Sequence, residues 1–330
     1  MKPSTDADEW LDEAGAVSRP RAAKKKILSR AKILSPEEGN GTVTEIFPNQ
    51  SAVRLDQEAR PALCRYRMAT LAFGAVHRER SPVCVGDRVR VEAGVIVGRC
   101  ERRNRLIRPA PNARDPLLHV LAANVDCLVV VAAAREPGFS AGIVDRFLVA
   151  ASAQKIQPIL CVNKSDLIKQ DEAREWSHYP AAGVAVVETS AKGGSGLERL
   201  MALLQGKAVV FCGHSGVGKT SLLRRLLSDE SYGRVGAVSA ASDKGRHTTS
   251  GAVLLAGPDG SSFIDTPGVM NFGLLDVARG ELLAHFPELH AAAAGCAADC
   301  AHDEEPACAL RALPRYASYR EIRRSLAKNG

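Results

Sequence analysis

The stretch Gly213-His214-Ser215-Gly216-Val217-Gly218-Lys219-Thr220-Ser221 constrains the fold of this 330-residue chain more than any other. It fits G-x-x-x-x-G-K-[ST], a loop that functions only between a strand and a helix. The apolar run 208–212 before it is strand-like, and residues 221–227 after it have helical character. Glycines let such a backbone curl until its N–H groups face phosphate oxygens, and the helix N-terminus adds a favourable field. Lys219 is then placed to reach β- and γ-phosphates, and the Thr220 hydroxyl to ligate Mg²⁺. The pattern implies a nucleotide but does not choose its base.

The base is chosen earlier in the chain. Asn163-Lys164-Ser165-Asp166 follows the apolar run 158–162 and matches N-K-x-D. Guanine presents two adjacent donors that one carboxylate can accept together. Adenine would leave that carboxylate unpaired in a closed pocket, a costly outcome that makes Asp166 discriminating. Lys164 is expected to lay its alkyl stem over the base plane, and Asn163 to brace this loop against the phosphate loop. Ser190-Ala191, after the next apolar run, fits a second base-contacting loop whose backbone N–H reaches the guanine O6.

Asp265-Thr266-Pro267-Gly268 places D-x-x-G at the end of the apolar run 262–264. Asp265 is expected to hold Mg²⁺ through water, and the Gly268 N–H to sense the γ-phosphate. The next residue is Val269, which cannot orient a water as the glutamine of many small GTPases does. Upstream, Gly245-Arg246-His247-Thr248-Thr249-Ser250 offers a threonine to close on the metal and γ-phosphate, Thr249 or else Thr248. His247 is the candidate for orienting the attacking water; the alternative is a surface-loop histidine. GTP, GDP and Mg²⁺ are thus the expected ligands.

The flanks suggest further units. Residues 1–38 lack hydrophobic periodicity and carry a basic run, as a flexible tail would. Five short β-like runs between 41 and 100 suit an OB-type barrel. Arg99, Arg102, Arg103, Arg105 and Arg108 follow with little acidic relief, an edge that could track a phosphate backbone. Residues 109–116 read as a linker. From about 126, strand-like runs alternate with helical segments, the signature of an α/β domain around a largely parallel sheet. Past about 271 the chain turns helical, ending in a basic helix over 316–327. The expected organisation is a tail (1–38), an OB-fold RNA-binding barrel (39–108), an α/β nucleotide domain (109–274) and a helical zinc-binding unit (275–330).

The zinc expectation rests on Cys296-x3-Cys300-x-His302-x5-Cys308, three thiols and an imidazole that complete a tetrahedral set. Four protein ligands leave no open position, so the ion would be structural. The remaining cysteines are scattered singly in apolar runs, as buried thiols are. A net charge of +7 favours acidic partners such as nucleic acid. No apolar segment of signal-peptide type or of bilayer-spanning length occurs, and no heptad pattern. A cytoplasmic monomer without membrane attachment is expected.

The motif order is permuted. Ordinary GTPases run from phosphate loop through switch threonine and D-x-x-G to N-K-x-D and S-A. Here N-K-x-D and S-A come first, which preserves the sheet if old termini are joined and the chain is opened elsewhere. A basic barrel, a circularly permuted P-loop GTPase domain and a Cys/His-rich helical tail together resemble the RsgA family over about residues 41–326. The resemblance implies a ribosome-dependent GTPase whose barrel and tail dock on the 30S subunit and its 16S rRNA in late maturation, with hydrolysis stimulated by the subunit. It also implies zinc ligands like those above, although the family pattern has one more residue between Cys296 and Cys300. A second reading of the residues is an RNA-binding switch, for tRNA or another RNA, with little turnover of its own.

Overall fold

Alternation of apolar and polar residues builds the first unit. The strands are β1 (Gly41–Phe47), β2 (Gln50–Leu55), β3 (Ala62–Tyr66), β4 (Arg88–Glu92) and β5 (Val95–Arg99). They turn Val43, Val53, Cys64, Val89, Val91 and Ile96 into a common interior. β1 pairs with both β2 and β4, β2 with β3, β5 with β4, and β3 runs parallel to β5. The ring is closed, so no strand edge is left to template aggregation. This is the OB-type barrel that the five-run pattern predicts. The coordinates, a computed structural model, describe residues 33–66, 79, 81–108, 119–233, 252–266, 274 and 277–327.

Two of the five arginines in the expected edge, Arg99 and Arg102, are committed to ion pairs. Arg102 donates to Asp87 at 2.6 and 2.8 Å and to Glu79 at 3.0 Å, and its side chain is 7% exposed. Arg99 pairs with Glu79 at 3.1 Å and donates to Pro82 O at 3.0 Å. Arg103 pairs with Asp126 at 2.7 Å, and Arg105 approaches Glu79 at 3.6 Å. The acidic relief comes from sequence-distant residues, so Arg99 and Arg102 pin the base of the barrel and are not free to meet phosphates. Asp87 itself is fully buried and also accepts from Cys84 N at 2.7 Å.

A ribbon of β6 (Arg105–Arg108) and antiparallel β7 (His119–Ala123) leads on from the barrel. Strand β7 was not evident in the sequence; it gains its partner only across the intervening segment. Gly86 holds φ +87°, and a Cβ there would come within 2.2 Å of Ala123 O, so the ribbon seats directly against the barrel's Cys84–Asp87 turn.

The α/β unit comprises β8 (Cys127–Ala133), α1 (Ala141–Ala153), β9 (Gln157–Asn163), β10 (Ala185–Glu188), α2 (Leu197–Leu204), β11 (Ala208–Cys212), α3 (Lys219–Leu227), β12 (Val253–Ala256) and β13 (Ser262–Asp265). Its strands lie in the order β10-β9-β8-β11-β13-β12, parallel except for β12. Every residue of β8 is buried, as expected of a strand covered on both faces. From β8 the chain winds outward through β9 to β10, whereas β11 leads toward the opposite edge. The reversal between β8 and β11 opens the crevice in which such sheets bind ligands, at the carboxyl ends of the strands. β12 also touches the barrel through the pair Glu45 and Val253.

Helices α2 and α3 cover one face over Val129, Val131, Phe211 and Phe263. On the other face, α1 shares a continuous core with the C-terminal α4 (Pro287–Ala292) and α5 (Tyr316–Ala327). Val144, Phe147 and Leu148 meet Phe286, Leu289, Tyr319 and Ile322 there. Among the described residues, no helix is long and apolar enough to cross a membrane.

Candidate nucleotide and metal sites

The phosphate loop joins β11 to α3 by a turn that only glycine can follow. Gly213 has φ +142°, and a Cβ on it would fall 2.1 Å from Val131 O of β8. Gly218 has φ +91°, and a Cβ on it would fall 2.4 Å from Asn163 Nδ2. Lys219 folds back over the loop, donating from Nζ to Gly213 O at 2.9 Å and His214 O at 2.8 Å. Burial holds its pKa below the ordinary lysine value, against the opposing pull of Cys212 and Asp265. His214 Nδ1 lies 2.9 Å from Ser215 O; the carbonyl can only accept, so the ring carries its proton there. Ser215, Gly216, Thr220 and Ser221 are exposed along the rim, whereas Val217 is buried beneath it.

Asn163 ties three loops together while only 1% exposed. Its Nδ2 donates to Val217 O at 2.9 Å, and its Oδ1 accepts from Ala191 N at 3.0 Å and Thr189 Oγ1 at 3.3 Å. The asparagine at the end of β9 therefore locks the base loop to the phosphate loop and to the Ser190-Ala191 loop. Its carboxamide can do this because it offers donor and acceptor on one flat group. Asp166 Oδ1 accepts from Ser190 Oγ at 2.5 Å, and that hydroxyl accepts in turn from Gly193 N at 2.8 Å. Lys164 adopts a left-handed conformation (φ 60°, ψ 36°) and donates to Glu136 O, on the loop after β8. Arg135 of that loop pairs with Glu172, whose second oxygen accepts from Arg135 Nε at 3.1 Å. No sequence pattern signalled the contacts of Arg135, Glu136 and Glu172 around Lys164.

Asp265 ends β13, the neighbour of β11, and its charge is felt at Lys219. The Tyr232 hydroxyl donates to Asp265 Oδ2. A carboxylate beside the phosphate loop, with the Thr220 hydroxyl on the first turn of α3, is a hard oxygen set suited to Mg²⁺. Thr266 is buried, with its hydroxyl unpartnered among the described residues. His247, Thr248, Thr249 and Gly268 lie outside the described residues, as does Val269.

The C-terminal cluster assembles as its spacing suggests. One ligand atom from each of Cys296, Cys300, His302 and Cys308 lies within 4.8 Å of the others. Cys296 Sγ is 4.0 Å from Cys308 Sγ, which is 3.8 Å from His302 Nδ1. Zinc–sulfur bonds of about 2.3 Å in a tetrahedron require sulfurs about 3.8 Å apart, so the donor set fits the ion. The short Cys296–Cys300 spacing is accommodated: Ala309 N donates to Cys296 Sγ at 3.3 Å and keeps it facing the cluster. The thiols are free, and the other six cysteines are buried singly.

Comparison with known proteins agrees with this architecture. Two solved structures share it. Over 87% of this chain and 98% of its own, YjeQ from Thermotoga maritima is 28% identical with a TM-score of 0.65. YloQ, described as a circularly permuted GTPase, is 26% identical over 88% of this chain and 95% of its own, with a TM-score of 0.62. Among curated proteins, the small ribosomal subunit biogenesis GTPase RsgA of Azotobacter vinelandii is 38% identical, the alignment spanning 93% of this chain and 92% of the relative. The protein of that name from Pseudomonas fluorescens is 37% identical over 97% of this chain and 96% of its own. The sequence profile of the RsgA GTPase family matches residues 99–275. With the permuted strand order, the phosphate and guanine loops locked through Asn163, and relatives of this similarity along nearly the whole length, the chain belongs to the RsgA GTPase family.

Proposed function

We propose that this protein is a GTPase that acts as a monomer on the small ribosomal subunit during late maturation, binding 16S rRNA and hydrolysing GTP to GDP and phosphate when the subunit stimulates it. The observation that carries the reading is the Asn163 tie between the N-K-x-D loop and the phosphate loop, in a chain whose relatives are named for small-subunit biogenesis. Asp166 accepts from the guanine, Lys164 and Ala191 complete the base site, and Gly213–Ser221 cradle the phosphates. Thr220 and Asp265 hold Mg²⁺, which supplies charge neutralisation at the β- and γ-phosphates. Thr249, or else Thr248, and Gly268 N–H close on the γ-phosphate, and His247 orients the water. The barrel (39–108) and the tail (275–330) contact the subunit, and one structural zinc ion sits on Cys296, Cys300, His302 and Cys308.

Turnover of GTP by the purified protein, alone and with 30S or 50S subunits, tests the reading. Stimulation by 30S alone is expected. Equal turnover with either subunit, or none, would remove the ribosomal assignment while leaving the GTP site to be tested by binding.

A further inference from the structure

The chain leaves α3 through a turn that comes back to the start of the same helix. Arg224 Nε donates to Tyr232 O at 2.6 Å, and Tyr232 N donates to Asp229 O at 3.3 Å, so the turn is fastened to the helix it follows. The Tyr232 ring packs against the core between α3 and the sheet, and its hydroxyl donates to Asp265 Oδ2. The next residue, Gly233, has φ +70°, and a Cβ there would meet Thr220 Cγ2 at 2.6 Å. Two successive residues of one turn therefore touch the two side chains, Asp265 and Thr220, on which the metal reading rests.

We propose that Tyr232 is a positioning residue for the magnesium corner. It fixes the Asp265 carboxylate relative to the helix that carries Thr220. A carboxylate has two oxygens and about four lone-pair directions, so one oxygen can be committed to a phenol while the other faces metal-bound water. Left without this donor, Asp265 would rotate about its side-chain torsions, and holding one rotamer would cost entropy at each metal-binding event. Tyrosine suits the task because its ring is anchored in the core and only the hydroxyl reaches the site. Gly233 serves the same corner by a different route. Any side chain there would press on Thr220 from a backbone conformation that favours glycine.

The inference rests on the GTPase reading, and the experiment separates the two. Fluorescent GDP and GTP analogues are bound to the full-length protein with Tyr232→Phe, Asp265→Asn, both changes or neither, across a Mg²⁺ titration. Manganese binding to the GDP complex is followed in parallel by electron paramagnetic resonance. Tyr232→Phe is expected to raise the half-saturating Mg²⁺ and Mn²⁺ concentrations about three- to tenfold, the net worth of one ordinary hydrogen bond, since the tyrosine acts by orienting the carboxylate and not by binding the metal. It should leave GDP affinity in EDTA and the thermal midpoint near those of the parent. In the Asp265→Asn background the tyrosine change should add little, because its effect acts through that carboxylate. An unchanged or lowered metal requirement overturns the proposal, as does an equal shift in both backgrounds. Absence of guanine-nucleotide binding by the parent protein would instead remove the GTPase reading itself.

Discussion

Arg315, on the turn before α5, donates from Nε to Asp145 Oδ1 of α1 at 2.7 Å, with side-chain exposures of 2% and 0%. Its Nη1 reaches both oxygens of Glu288 at 3.1 and 3.2 Å, and its guanidinium lies over the rings of Phe286 and Tyr179. One side chain thus fastens the tail that carries the cysteine cluster to α1. Arg315→Ala is expected to cost about 3–5 kcal/mol, because it leaves the Asp145 charge buried without its partner. Urea unfolding of Arg315→Ala, Asp145→Leu and Arg315→Met with Asp145→Leu measures this. The double variant should recover most of the loss, since apolar replacement of a buried pair is often neutral. Failure to recover would assign the stabilisation to the Glu288 pair or to stacking on Phe286 instead.

This junction shows where sequence reading stops. The apolar runs 158–162, 208–212 and 262–264 locate β9, β11 and β13 within a residue, because each local pattern reports its own burial, whereas β6 has no such run. The phosphate and base motifs could be placed at strand ends for the same reason. Asp145 and Arg315 are separated by the phosphate loop, both switches and the cysteine cluster, and nothing near either residue announces the other. Glu79 and Asp87 were equally hidden as partners of Arg99 and Arg102. An arginine run looks the same in sequence whether it faces phosphates or carboxylates. The distinction lies in long-range pairing, which composition does not encode.

The cysteine cluster should behave as a folding element. Cys308 is buried and its sulfur lies centrally, 4.0 Å from Cys296 Sγ and 3.8 Å from His302 Nδ1. Cys308→Ser is expected to lower bound zinc from one equivalent to well below one, and to reduce the thermal midpoint, while guanine-nucleotide affinity stays close to the parent. Atomic absorption and a melting curve check it. Cys300→Ser should act alike, being a member of the same cluster. Full zinc occupancy in either variant would remove that residue from the ligand set.

Acidification should loosen the α1–tail junction. His285 Nδ1 lies 2.9 Å from Ser152 Oγ of α1, and burial holds its pKa below the ordinary 6.5, against the opposing charge of Glu281. His178 is lowered from the same value, chiefly by burial; Arg315 acts in the same direction, while Asp145 and Glu288 oppose it. A histidine with a depressed folded pKa binds more protons unfolded, so stability rises with pH through the window. It is therefore lost as pH falls below about 6.5 toward the folded values. Thermal midpoints between pH 7.5 and 5 should fall, and His178→Gln with His285→Gln should flatten that slope. A slope unchanged in the double variant would place the acid sensitivity elsewhere.

Base choice offers the most direct chemical test of the site. Asp166 is exposed, and Ser190 Oγ donates to one of its oxygens at 2.5 Å, which orients the carboxylate. Guanine would donate to that carboxylate from two adjacent nitrogens, whereas xanthine carries a carbonyl in place of the amino group and would meet it acceptor to acceptor. Asp166→Asn supplies an amide donor for that carbonyl, so preference should turn from guanine toward xanthine nucleotides. Loss of a charged acceptor pair of this kind is expected to weaken GDP binding by about 1.5–3 kcal/mol, roughly ten- to a hundredfold. Competition of GDP and XDP against a fluorescent analogue reads both changes at once. Ser190→Ala frees the Asp166 oxygen and should weaken GDP by a smaller factor without any gain for XDP, because it alters orientation and not the donor pattern. Unchanged guanine selectivity in Asp166→Asn would mean that another group reads the base.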